Sequence, residues 1–329
     1  MPGFDKVIGL EEVVDYLQRS IKSDKVAQTL IFHGAAGSGK KLLSGIFAMT
    51  LQCEAHGITP CLSCPSCKKA ETHNHPDIIT VTHEKDNLIS VDEIRSQLVN
   101  DILIRPECSE RKIYILPDAE KMNVQAQNAL LKTLEDLPSY AMILLLTDNV
   151  DALLPTIRSR CVHLAMRLVS EKKIKNYLVE ELNVPDHYAE LDAAYAQGNV
   201  GRARAISGSG EFHELLDTCV EMLARSYHMP MNQLVDDVKL LTEDKGRIEE
   251  YLELFTMWFR DVLLFKATNE VDKLVFKRQL DMIKKRASES SYEGLETIIE
   301  AIEKVRVRLK ANVNFELSVE LMLLTIREN

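Results

Sequence analysis

The stretch Thr29-Leu30-Ile31-Phe32-His33-Gly34-Ala35-Ala36-Gly37-Ser38-Gly39-Lys40-Lys41 constrains the fold more than any other part of this chain. The first five residues read as a buried strand, the glycines as a loop, and Lys41 to Gln52 as a helix. A strand running through a glycine-rich loop into a helix presents backbone amides and a lysine to a phosphate group. Gly34, Gly37, Gly39 and Lys40 are therefore candidate phosphate ligands. The next position calls for Ser or Thr, whose hydroxyl holds the magnesium of a bound nucleotide. Lys41 stands there instead and offers no such hydroxyl.

Apolar residues at Val13, Val14, Leu17 and Ile21 predict a helix over Glu11 to Ser23. Asp77 to Val81, Lys112 to Leu116 and Ala141 to Thr147 predict three further strands, with helices around Val91 to Asn100 and over Val124 to Glu135 between them. The unbroken apolar run Ala141 to Thr147 suits a strand buried on both faces. Strands alternating with helices predict an α/β fold, a parallel sheet with helices on both faces and right-handed crossovers. After Cys161 the strand pattern fades, and short helices over Glu171 to Leu182 and His187 to Gln197 are closed by Gly198 and Gly201. From Phe212 onward the pattern is amphipathic helix, broken at Met229-Pro230 and at Glu243 to Gly246. Tyr251 to Phe259 is apolar on most of its circumference and must be buried, in its own domain or against neighbours.

The net charge of -10 argues against a protein that binds nucleic acid mainly through a basic surface. It leaves room for phosphate contacts at helix N-termini. No window approaches the roughly 18 apolar residues of a membrane helix. The start MPGFDKVIGL lacks a basic region followed by an apolar run, so a cytoplasmic location is expected. In a reducing compartment, clustered cysteines bind metal more often than they form disulfides. Cys53, Cys61, Cys64 and Cys67 are separated by seven, two and two residues, a spacing that lets four thiolates close around one tetrahedral ion. Such a closed site predicts a structural zinc in a module spanning 53–75. Pro60-Cys61-Leu62-Ser63-Cys64 matches half of the zinc-deaminase signature, but the His or Cys two residues before a catalytic Glu is missing. His73 and His75 are read as solvated loop histidines rather than spare ligands, and the reactivity of Cys108, Cys161 and Cys219 stays open.

In ATPases with this loop, a carboxylate at the end of another strand helps to hold magnesium. Here the strand Ile113 to Leu116 ends in Pro117-Asp118-Ala119-Glu120, and the companion helix carries Asn128-Ala129-Leu130-Leu131-Lys132-Thr133-Leu134-Glu135-Asp136. That run, Ser159-Arg160-Cys161, Gly198-Asn199-Val200-Gly201-Arg202-Ala203, Asn312-Val313-Asn314-Phe315-Glu316-Leu317 and the cysteine cluster occur in order over almost the whole chain. Together they resemble the bacterial DNA polymerase III clamp-loader subunits, AAA+ members of the phosphate-loop fold. The resemblance implies a nucleotide-binding-like domain over 1–165 with the zinc insert, a helical lid domain over 166–208 and an all-α collar over 209–329.

Motor subunits of the gamma/tau type in that family carry a magnesium-binding Asp and a Glu neighbour at positions that fall here on Pro117 and Asp118. With Lys41, two losses on one ion resemble the delta-prime branch, which keeps the architecture without hydrolysing ATP. ATP or ADP binding is then expected to be weak or absent. The resemblance further implies that Arg160 reaches into the ATP site of an adjacent subunit as an arginine finger, although on its own Arg160 reads as the partner of a local carboxylate. Arg158 is the lesser candidate, Thr147 and Asn149 occupy the first sensor region and Arg202 the second. The implied partners are the gamma/tau and delta subunits, the sliding clamp and primed DNA, with no membrane. Two rival readings make distinct predictions. An active gamma/tau-type motor hydrolyses ATP with magnesium, and a zinc-containing nucleic-acid adaptor binds DNA in a strongly salt-sensitive way.

Overall fold

The computed structural model describes residues 3–84 and 88–329; Met1 and Pro2, where the first domain was expected to begin, and 85–87 lie outside them. The chain divides into two compact units, one ending at Ala205 and the other starting at Ile206.

The first unit is built on a five-stranded parallel sheet in the order β2-β3-β4-β1-β5. The strands are β1 (Thr29–His33), β2 (Ile78–Thr80), β3 (Lys112–Leu116), β4 (Ala141–Thr147) and β5 (Val162–Ala165). The sequence pattern predicts four strands, and five are present among the described residues. β5 escaped notice because it is a four-residue edge strand with only Leu164 buried, so it lacks the unbroken apolar run of an internal parallel strand.

Alternation along each strand sends side chains to two separate cores. On one face Leu30, Phe32, Ile113, Leu144 and Leu146 pack with α1 (Glu11–Lys22) and α2 (Lys40–Leu51) through Leu17, Leu43 and Phe47. The short helix α3 (Pro65–Glu71) follows, with Cys64 as its N-cap. On the other face Ile31, Tyr114, Leu116, Ile143 and Leu145 pack with α4 (Val91–Ile94) and α5 (Val124–Glu135) through Ile94, Leu130 and Leu134. Where one helix was expected over Val91 to Asn100, α4 widens after Ile94 into a π-helical turn, Arg95–Val99. That turn carries Gln97, whose amide bonds both backbone groups of Thr82. After β4 come α6 (Pro155–Arg158), α7 (Glu171–Leu182), α8 (Asp186–Tyr195) and α9 (Val200–Ser207). Ile174, Leu178, Ala189, Ala193 and Ala203 form a small separate core among the last three.

Asp77, almost fully buried just before β2, ties the segment entering β3 to the sheet. Its carboxylate accepts from the amides of Glu107 (2.7 Å) and Cys108 (2.9 Å) and from the hydroxyl of Ser109 (2.6 Å). Burial works against the charge, but these three donors outweigh it and hold the Asp77 carboxyl below the usual range. A carboxyl depressed on folding stabilises the protein above its unfolded pKa and loses that contribution as pH falls through the folded value. Asp77→Ala is expected to lower the stability of the first unit by about 2–3 kcal/mol at neutral pH, read in urea titrations. The gap between variant and parent should shrink as pH falls through the lowered pKa of Asp77. An unchanged midpoint at neutral pH would contradict this role.

The second unit contains α10 (Gly210–Ala224), α11 (Met231–Glu243), α12 (Ile248–Thr268), α13 (Leu280–Glu289), α14 (Tyr292–Lys310) and α15 (Phe315–Glu328). Leu252, Phe255, Trp258 and Phe259 of α12 are completely buried within the chain itself. Most of the apolar circumference of Tyr251 to Phe259 is therefore spent inside its own domain, not held for neighbours. Among the described residues no helix is long and apolar enough to cross a membrane.

Candidate functional site

β1 delivers the phosphate loop to the carboxyl edge of the sheet, beside the ends of β3 and β4. The loop passes through left-handed backbone at Gly37 (φ 80°) and Gly39 (φ 91°), and Gly39 caps α2. Lys40, the residue that should reach a phosphate, is buried and already has partners. Its ammonium donates to the carbonyls of Gly34 (2.6 Å) and Ala35 (2.8 Å) and pairs with Asp148 Oδ1 at 2.6 Å.

The cleft around it, about 300 Å³, is lined by Ala36, Gly37, Gly39, Lys40, Lys41 and Leu42, closed by Asp118, Leu146 and Asp148. Two lysines face two aspartates, so the cleft is neutral by its own side chains. Asp118 sits in left-handed backbone at the end of β3 (φ 52°) and contacts His83 Nε2 and Lys121 Nζ, both at 3.4 Å. Burial raises its pKa, but the His83 hydrogen bond and the charges of Lys121 and Lys41 more than offset this and keep the carboxyl low. Lys41 thus brings positive charge towards the carboxylate that, in the implied motor subunits, lies beside a magnesium ligand.

The tip of the loop is held by the start of α9. Gly201 N donates to Gly37 O at 3.0 Å, and the Asn199 amide donates to Ala36 O while accepting from Arg202 N at 3.0 Å. Contact is so close that a Cβ on Gly201 would lie 2.5 Å from Gly37 O, and one on Gly37 would lie 2.6 Å from Asn199 Oδ1. Glycine is required at both positions for this approach.

The expected sensor residues are otherwise engaged. Thr147 is buried, and its hydroxyl donates to Asn149 O (3.0 Å) and accepts from Asn149 N (3.1 Å), closing a turn rather than opening to the cleft. The Arg202 guanidinium lies 4.1 Å from the centre of the Tyr195 ring. Asp148 has no part in the sequence reading, and Asn199 enters it only within the run Gly198 to Ala203. Asp148 is a polar residue directly after a fully buried strand, which is the signal that could have found it.

Arg160 is exposed, away from this cleft. Its guanidinium donates to Glu135 Oε1 (2.8 Å) and to Thr156 O (3.0 Å), so within the chain it does have a local carboxylate partner. Its backbone is braced from the sheet, because Thr29 Oγ1 donates to Arg160 O at 2.7 Å and His163 Nε2 donates to Arg158 O at 2.9 Å. Arg158 pairs with Asp151. Cys161 is half-buried, and desolvation pushes its thiol up to about 11, while the buried Cys219 is shifted upward by the same cause. Both shifts favour the protonated thiol over the thiolate.

The four clustered cysteines do converge. Their Sγ atoms all lie within 4.8 Å of one another, and Cys61 and Cys67 are 3.9 Å apart. Four sulfurs about 2.3 Å from a tetrahedral ion would be about 3.8 Å apart, so the arrangement can hold one metal ion. Amides of Cys61, Cys64 and Cys67 donate at 3.3 Å to the sulfurs of Cys53, Cys61 and Cys64. The Ser63 hydroxyl and the amides of Ser63 and Cys64 draw the Cys61 thiol down to about 5, towards the thiolate a metal needs.

His75 corrects the expectation of a solvated loop histidine. It is buried, its Nδ1 accepts from Asp77 N at 3.1 Å, and its Nε2 lies 3.0 Å from Ser66 Oγ. Because Nδ1 is an acceptor, the proton is assigned to Nε2, and it donates to Ser66, which in turn donates to Gln52 O at 2.6 Å. That relay fastens the cysteine module to the end of α2. His73 is exposed and stands outside the metal cluster.

Comparison with known proteins agrees with this architecture. Family models described as DNA polymerase III, delta subunit, and its C-terminal region match residues 9–170 and 218–328. The chain is 31% identical over 320 residues to the DNA polymerase III subunit delta' of Bacillus subtilis, covering 96% of this chain and 95% of that protein. It is 35% identical over 166 residues, half of each chain, to the delta' subunit of Pseudomonas aeruginosa. The DNA polymerase III subunit tau of Bacillus subtilis is 26% identical over 343 residues, covering 96% of this chain but 60% of that longer protein.

Proposed function

Because the chain belongs to the family of DNA polymerase III delta-prime subunits, we propose that it is a scaffold of a clamp loader that does not itself turn over ATP. It helps to place a ring-shaped sliding clamp on primed DNA in the cytoplasm, alongside delta and gamma/tau subunits that supply the hydrolysis. The observation that carries this reading is the state of Lys40, whose ammonium is spent on Gly34 O, Ala35 O and Asp148 in a cleft with no net charge. A nucleotide would have to displace those partners and bring its own metal to a site where Lys41 and Pro117 replace the metal's ligands. Gly34, Gly37, Gly39, Lys40, Lys41, Thr147 and Arg202 are, on this reading, a degenerate nucleotide site.

The division of labour follows the proposed domains. Residues 1–165 carry the degenerate cleft, the module 53–75 is stapled by a structural zinc on Cys53, Cys61, Cys64 and Cys67, and 166–208 form the lid. Residues 209–329 form the collar. Exposed Val307 on α14 with Leu317 and Leu321 on α15 supports an intersubunit surface there. Arg160 is the contribution made in trans to a neighbour's ATP.

The isolated chain is expected to show no ATP turnover, and magnesium should not tighten whatever weak nucleotide binding remains. Titration with a fluorescent ATP analogue, with and without magnesium, checks both points beside a turnover assay. Magnesium-dependent turnover that vanishes in Lys40→Ala would make the chain a gamma/tau-type motor instead.

A further inference from the structure

A second cavity of the first unit, larger than the phosphate cleft, lies beside that cleft rather than in it. Its volume is about 470 Å³, within the range of roughly 300–1,000 Å³ common for small-ligand sites. The floor is apolar and shallow in side chains: Gly45 of α2, Ala70 of α3, Ile78 of β2, Ile115 of β3 and Pro117. Gly45, Ala70 and Ile115 are buried, while Lys41, His73, Thr80 and Thr82 line the same cavity as exposed residues.

We propose that this cavity binds a small aromatic or heteroaromatic ring bearing a single carboxylate or phosphate. Three features decide the chemistry. Among the described residues that line the cavity, Lys41 is the one formal charge and no carboxylate is present, so an anion is favoured over a cation or metal. Both nitrogens of the lining His75 are committed to Asp77 and Ser66, which leaves that wall neutral. Gly45 sits inside α2, where glycine is among the least favourable residues, and with Ala70 it gives the cavity two small lining residues beside Ile78, Ile115 and Pro117. The ring lies against Gly45 and Ala70. Its acid points to Lys41, with the hydroxyls of Thr80 and Thr82 as further polar partners. Lys41 also borders the phosphate cleft, so the acid lies at the junction of the two.

The probe is 8-anilinonaphthalene-1-sulfonate, a ring system with one acid, titrated into the full chain and followed by fluorescence. One saturable site is expected, weakened about tenfold or more by Gly45→Leu and by Lys41→Glu. Thr80→Trp fills the cavity from the exposed face of β2 and should act alike. It also stands in if Gly45→Leu fails to melt as a folded protein. Competition then separates the sources. Displacement by 1-naphthoate supports a ring with a carboxylate, and displacement by adenosine monophosphate alone supports a ring with a phosphate. Binding that Lys40→Ala abolishes would put the probe in the phosphate loop and overturn the proposal, as would unchanged binding in a folded Thr80→Trp variant.

Discussion

Arg160→Ala in the assembled complex should lower clamp- and DNA-stimulated ATP turnover by about three orders of magnitude or more. The expectation rests on Arg160 acting on a neighbour's phosphate, where a finger's charge stabilises the transition state of transfer. The rival account is already visible in the chain, because Arg160 pairs with Glu135 at 2.8 Å. Magnitudes tell the two apart. Both partners are substantially exposed, and an exposed pair of this kind contributes about 0–1 kcal/mol, too little to move turnover by a factor of a thousand. Glu135→Ala breaks the same pair while leaving Arg160 in place. If the arginine works in trans, Glu135→Ala retains turnover and Arg160→Ala abolishes it. If the two variants behave alike, Arg160 is only a surface partner and the scaffold loses its catalytic contribution. Arg158→Ala, whose parent residue pairs with Asp151, is the matched control and should retain turnover.

The second large effect concerns the cysteine module. The purified chain is expected to carry one zinc per molecule, measured by elemental analysis, and Cys64→Ser to carry almost none. Structural zinc sites hold their metal by about 10–16 kcal/mol in small peptides. Little else can replace that here. The buried residues packed around the sulfurs are Met49, Cys53, Cys67 and Ala70, with Cys61, Cys64 and Ile78 at the margin. So small an apolar set cannot offset the conformational entropy of ordering the module. Chelation or Cys64→Ser should therefore open residues 53–75 to limited proteolysis while the sheet stays intact. A metal-free protein that resists proteolysis as well as the parent would remove zinc from the account.

Much of the sheet was legible because its strands are short apolar runs punctuated by glycine, proline and aspartate. β1, β3 and β4 have the expected limits, since a strand buried on both faces shows an uninterrupted pattern. β5 did not, because an edge strand that is half solvated offers no run to find. The π-helical turn at Arg95–Val99 was also invisible, for its periodicity differs from an α-helix by less than a short segment can show. At the cleft, the motif residues are where the spacing placed them, but their partners are not sequence neighbours. Lys40 meets Asp148 just after β4, and the loop tip meets Asn199 just before α9, both more than a hundred residues away in the chain.

By itself the sequence determined the kinds of chemistry available: a phosphate loop with Lys41 and Pro117 where a magnesium site belongs, and four thiols at metal-binding spacing. These follow from residue identity and local spacing, which backbone geometry converts directly into position. Only the tertiary structure decided which groups are spent. It pinned the Lys40 ammonium to carbonyls and an aspartate, buried His75 as a relay, turned the bulk of the apolar centre of α12 inward and left Arg160 at the surface. Those outcomes depend on desolvation and on partners brought together from distant strands, and neither quantity is written in any local stretch of the chain.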